Sequence, residues 1–254
     1  MTGVLAIGSG SLVGFMLGLV GGGGSILATP LLLYVVGVAS PHVAIGTSAL
    51  AVSVNALANF AGHAVRGNVW WRCAIVFATI GTAGALVGST LGKAMNGEHL
   101  LVLFAMLMMV VGVLMAKPRK MASGSSRPVD LRMCLMTALI ALLAGSASGF
   151  FGIGGGFLIV PGLLLATGMP MISAIGSSLL AVAAFGLATA LNYASSGLVD
   201  WVLAAEFIGG GIAGGLIGMA LAGRFAASKN LLNRIFAGVI FAVAVYILST
   251  SLSA

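Results

Sequence analysis

Gly21-Gly22-Gly23-Gly24-Ser25 interrupts an apolar stretch, and Pro30 follows six residues after Gly24. The chain does the same again at Gly152-Ile153-Gly154-Gly155-Gly156, followed by Pro161. Glycine releases the backbone from helical dihedrals, and irregular backbone inside a bilayer survives only where protein or water covers it. Two such breaks at matching places in two halves of a hydrophobic chain are the sequence mark of a transporter's binding region.

The remainder of the sequence supplies the bilayer. Of 254 residues, 60% are hydrophobic and 6% charged, and the mean hydropathy is +1.21. A soluble domain carries roughly 25% charged residues. The apolar runs are long and continuous, which fits helices rather than the alternating segments of an outer-membrane barrel. The net charge of +7 sits beside hydrophobic spans, so it reads as an orientation signal and not as a nucleic-acid patch. Met1 to Val20 lacks a basic start and a small-residue cleavage site, and it reads as a retained membrane segment. Cys73 and Cys134 are the two cysteines. Their spacing suits neither a disulfide framework nor a metal site. No phosphate-cradling glycine loop ending in Lys-Ser/Thr is present, so any transport is secondary or passive unless another subunit hydrolyses ATP. No cofactor is expected.

The two halves align. Ala44-Ile45-Gly46-Thr47-Ser48 matches Ala174-Ile175-Gly176-Ser177-Ser178 at an offset of 130. The same offset carries Gly67 onto Gly197, Trp71 onto Trp201, and Gly81, Gly84 and Gly88 onto Gly211, Gly214 and Gly218. Spans are expected at about 43–63, 70–92 and 100–116, with counterparts at about 174–195, 202–223 and 231–250, each near the ~20 residues of one crossing. Before each trio lies a glycine-broken pair, 4–20 with 25–37 and 132–150 with 157–168. The second limbs would rise only ~18 Å as helices, so they are re-entrant or poorly spanning. The units are residues 1–116, a basic linker 117–130, and residues 131–254.

Charge sets the expected orientation. The linker holds Lys117, Arg119, Lys120 and Arg127, which puts it in the cytoplasm. Arg66, Arg72, Arg224, Lys229 and Arg234 mark further inside loops, whereas Lys93, Glu98 and Asp200 lie outside. Equivalent loops then fall on opposite faces. The fold class expected is an all-α integral membrane protein of two inverted-topology repeats, with both termini outward.

Gly18 to Gly24 with Pro30 and Ala44 to Ser48, repeated as Gly149 to Gly156 with Pro161 and Ala174 to Ser178, resembles the sulfite exporter TauE/SafE family over nearly the whole chain. The resemblance implies passage of small sulfur-containing anions such as sulfite or organic sulfonates across a bacterial inner membrane, in either direction. It implies no catalytic residue.

Amide N–H groups at a broken helix start suit an anion. The expected binding residues are therefore Gly23, Gly24 and Ser25 with Gly154, Gly155 and Gly156. Hydroxyls of Thr47, Ser48, Ser177 and Ser178 add donors from the following helices; the alternative is that the glycines serve close packing alone. Asn55, Asn59 and His63 share a face with Ser48. Their counterparts are Phe185, Thr189 and Tyr193, so a polar wall facing an aromatic one is expected, suited to a sulfonate with a hydrophobic body. Plain interhelical hydrogen bonding is the alternative. Glu206 is the one acid well inside an expected span, and His63 has the right chemistry for protons; both are candidates for coupling. Glycines recurring every four residues read as packing ridges. Met106, Met108 and Met109 read as filler, and Trp70, Trp71 and Trp201 as interfacial anchors.

The reading is thus a secondary transporter of a sulfur-containing anion working by alternating access, with an organic sulfonate ahead of inorganic sulfite. A membrane enzyme lacks its nucleophile or acid pair, and a non-transporting scaffold has no need of duplicated breaks.

Overall fold

A computed structural model describes residues 2–116, 131–154 and 156–222, with residues 238, 241 and 243–247. The linker 117–130, Gly155 and most of the expected span 231–250 lie outside the described residues. Among the described residues the chain is helical and has no strand.

The first hairpin has α1 (Thr2–Val20) as its long limb. Its return limb is a tight 3-10 stretch, Gly21–Leu27, a single α turn, α2 (Ala28–Pro30), and a π turn, Leu31–Val35. The second hairpin is α6 (Leu131–Phe151) and α7 (Gly156–Thr167). Between the hairpins lie α3 (Pro41–Val65), α4 (Trp71–Ala94) and α5 (Gly97–Ala116). α8 (Met171–Ala194) and α9 (Trp201–Ala222) follow the second. Five of these helices, α1, α3, α4, α8 and α9, are long and apolar enough to cross a membrane.

Both bends turn on a glycine that no other residue would replace cheaply. Gly21 has φ of 75° and Gly152 φ of 66°, a left-handed conformation that costs an L-residue about 1–2 kcal/mol. Each glycine also backs onto an isoleucine of the other half: Gly21 onto Ile175, and Gly152 onto Ile45.

α3 and α8 form the centre and run antiparallel, Gly46 lying against Tyr193 and Leu198 while Gly176 lies against His63 and Asn68. Around them α9 packs on α1 and α3, and α4 packs on α6 and α8. The ridges decide this. Gly14 meets the Gly211 carbonyl, and Gly145 meets the Gly81 carbonyl, backbone on backbone. Small residues let helices approach where hydrophobic burial against lipid offers little. Many contacts recur with both partners shifted by 130 or 131 positions. Where the two halves meet, Ser53 Oγ donates to the Ala183 carbonyl at 2.7 Å, a pair separated by 130.

The outer surface is aliphatic: Val4, Val65, Leu91, Val202 and Leu216 are all exposed. Trp71 and Trp201 open α4 and α9 and are more than half exposed, while Trp70 is partly buried against the core. Met108 is buried and Met106 exposed.

Candidate functional site

The two bends come together in the interior, where α7 packs against Gly21–Leu27. Ser25, Thr29, Ser48 and Ser178 are fully or almost fully buried there or on the adjoining helices. Ser48 Oγ stands 2.8 Å from Thr29 Oγ1, 3.0 Å from the Ile45 carbonyl and 3.4 Å from the Gly152 carbonyl. One hydroxyl of α3 therefore touches both hairpins. Ser178 Oγ donates to the Ile175 carbonyl at 2.8 Å, as its counterpart does to Ile45. Gly154 lies within van der Waals reach of Val52 and Val182, an equivalent pair on α3 and α8. Gly24 backs onto Met16 and Leu17 of its own long limb. Gly23 lies in the 3-10 stretch, and Gly156 opens α7. The surroundings are aliphatic: Ile45, Val52, Ile153, Ile175 and Val182 are all buried.

Thr47 and Ser177 do something else. Thr47 Oγ1 accepts from the Asp200 N–H at 3.0 Å, and Ser177 Oγ accepts from the Trp70 N–H at 3.0 Å. Each fastens the loop that precedes α9 or α4.

The expected pair of facing walls takes a different form. Asn55 and Asn59 lie against Gly211 and Gly215 of α9. Phe185 lies against Gly81 of α4 and stacks on Phe77, with ring centroids 6.2 Å apart. The polar and aromatic stripes therefore line two separate seams. A helical period tells which residues share a face, and the neighbour is set by the whole bundle. His63 sits beside Gly176, and Tyr193 lies between the His42 ring and the Lys93 ammonium. Glu206 is half-buried, with its carboxylate against Gly3 at the start of α1, where a helix dipole favours negative charge.

Two features escaped the sequence reading. Thr29 completes the Ser48 contact, four residues past Ser25 on the return limb. Lys93 Nζ donates to Asn192 O at 2.8 Å, Asn192 Oδ1 at 2.7 Å and Ser196 Oγ at 2.9 Å, tying α4 to α8. A lysine closing an apolar helix was the available signal. An apolar groove of about 260 Å³ between α4 and α6 is lined by Val87, Leu91 and Phe150 and holds none of the expected site residues. Among the described residues no cluster of metal-ligating side chains occurs.

The model of the family Sulfite exporter TauE/SafE matches residues 6–247. The chain belongs to the TauE/SafE family. A probable membrane transporter protein of Xylella fastidiosa (strain 9a5c) is 61% identical over 96% of this chain and 94% of its own length. YunE of Bacillus subtilis, also named a probable membrane transporter protein, is 25% identical over 87% of this chain and 89% of its own. MJ0441 of Methanocaldococcus jannaschii is 29% identical over 61% of this chain and 60% of its own. No solved structure matches. The TauE/SafE family is one of membrane transporters rather than an enzyme class.

Proposed function

We propose that this TauE/SafE chain is a secondary transporter of a small sulfur-containing anion, an organic sulfonate first, which it passes by alternating access in the bacterial inner membrane. The anion sits where the two glycine bends meet. One observation carries the reading: Ser48 reaches both hairpins at once, within hydrogen-bonding distance of Thr29 and Gly152. A solute between the bends would meet the amide ends of two interrupted helices and a hydroxyl able to turn toward either side. Buried aliphatic residues Ile45, Val52, Ile175 and Val182 favour a sulfonate that carries a carbon body over bare sulfite.

The architecture proposed is two inverted repeats. The antiparallel contact of α3 with α8 and the reciprocal seating of Gly21 on Ile175 and Gly152 on Ile45 support it. Under the positive-inside rule the Arg66 end faces the cytoplasm with the linker, and the Lys93 end faces outward.

The test is flux of a radiolabelled sulfonate into liposomes holding the purified chain alone. Uptake above that of empty liposomes is expected. Ser48→Leu should abolish it while the protein still inserts. Absence of flux with several sulfonates and with sulfite would return the chain to the scaffold reading.

A further inference from the structure

Nine buried side-chain atoms among the described residues have no hydrogen-bond partner, and five of them lie on one stripe of α3. They are Asn55 Nδ2 and Oδ1, Asn59 Oδ1, and His63 Nδ1 and Nε2. The three side chains are between 0% and 3% exposed. Asn55 and Asn59 press on the backbone of Gly211 and Gly215. Asn59 Nδ2 donates to the Asn55 carbonyl at 2.8 Å, and the seam between α3 and α9 is closed over the three remaining amide atoms without partners. Buried polar groups without partners disfavour the state that buries them. Parting the seam would let water or a polar solute satisfy the three asparagine atoms, and His63, beside Gly176 of α8, continues the stripe toward the Arg66 end.

The equivalent seam between α8 and α4 is built the other way. Phe185 takes the place of Asn55, and its ring stacks on Phe77. Thr189 Oγ1 and Tyr193 OH are the unpartnered atoms of that stripe. The far end is tied by Lys93 to Asn192 and Ser196, and by Asn192 Nδ2 donating to Ser89 Oγ at 2.6 Å. Aromatic stacking and charge-assisted hydrogen bonds favour the closed arrangement.

We infer that the α3–α9 seam is the wet passage between the bends and the Arg66 end, and that it opens in the resting protein while the α4–α8 seam stays shut. This rests on the transporter reading above: the passage is the anion's route to that face, with the Asn55 amide and His63 imidazole as donors along it. The scaffold repeats, but the two ways out of it do not. One is poised to open and the other is latched.

Cysteine labelling tests this. In a background with Cys73→Ala and Cys134→Ala, the variants Asn59→Cys and Thr189→Cys, which keep Asn55 and Phe185 in place, are exposed to a membrane-impermeant methanethiosulfonate, in spheroplasts and in inverted vesicles, without added anion. Asn59→Cys should react at least about tenfold faster than Thr189→Cys, because a locally openable seam exposes its groups far more often than a stable one. Equal rates, or faster reaction at Thr189→Cys, would overturn the inference. Hydrogen–deuterium exchange on the unsubstituted protein guards against variants that fail to fold. Amides of 210–216 in α9 should exchange faster than amides of 80–86 in α4, and equal protection would count against the proposal. Neither readout needs a cargo. A labelling asymmetry without sulfonate flux would therefore sink the transport reading and leave the seam standing, while flux with symmetric labelling would do the reverse.

Discussion

At the scale of single residues, glycines in the same chain carry different physical demands. Gly37 has φ of 87° and open space around it, so Gly37→Ala should lose only about 1–2 kcal/mol through backbone strain. Gly152 adds a collision with Ile45, and Gly152→Ala should lose more than about 2 kcal/mol by combined strain and overpacking. Thermal unfolding of the purified variants in detergent would order them. The hydroxyl anchors make a matched pair. Thr47→Ala and Ser177→Ala each strip an acceptor from a loop N–H at the same distance. Each should lower stability by about 1 kcal/mol, and by similar amounts. Their loop partners lie 153 and 107 positions away in sequence, which is why the primary structure presented both as site hydroxyls. The glycine breaks themselves were legible, because four adjacent glycines in an apolar run have no helical explanation.

At the scale of elements, spacing in the sequence foretold the ridges but not their partners. Glycines every four residues on α1 and α9 announce close approach, and the structure seats Gly14 on Gly211 and Gly18 on Gly215. Gly14→Val and Gly145→Val would each drive a side chain into the facing carbonyl, and both should lose folded protein, seen as a vanishing monodisperse peak in size-exclusion chromatography. Gly8 sits within α1 and faces open space. Gly8→Ala should therefore raise stability by about 0.5–1 kcal/mol through helix propensity and a less entropic unfolded chain. A stabilised Gly14→Val would show that the ridge does not hold the helices. The polar and aromatic stripes mark where sequence reasoning stopped. Period placed Asn55, Asn59 and His63 on one face, as it did Phe185, Thr189 and Tyr193. That the stripes face α9 and α4 rather than each other follows from the antiparallel α3–α8 pair, which is a property of the assembled core.

At the scale of the whole molecule, the TauE/SafE chain balances two near-equivalent seams against each other. Lys93 weights that balance, since it makes two hydrogen bonds to Asn192 of α8 and one to Ser196 just past that helix. Lys93→Met should lower stability by about 1.5–3 kcal/mol, the range for hydrogen bonds to a charged group. It should also raise thiol reactivity of Thr189→Cys toward that of Asn59→Cys. Unchanged reactivity would mean that the Phe77–Phe185 stack closes the seam unaided. The duplication, visible at an offset of 130, gave the frame for this comparison. The weights on either side rest on single side chains that the alignment could only describe as mismatches.

The bond from Ser53 to the carbonyl of Ala183 has a further meaning. Two identical chains meeting at that point would set serine against serine, or alanine against alanine. Here the hydroxyl exists in one half alone, so the handshake has a giver and a receiver. The acceptor is a backbone carbonyl, so a tandem of first halves would offer two hydroxyls and two carbonyls at the meeting point, and a tandem of second halves would leave it without a donor.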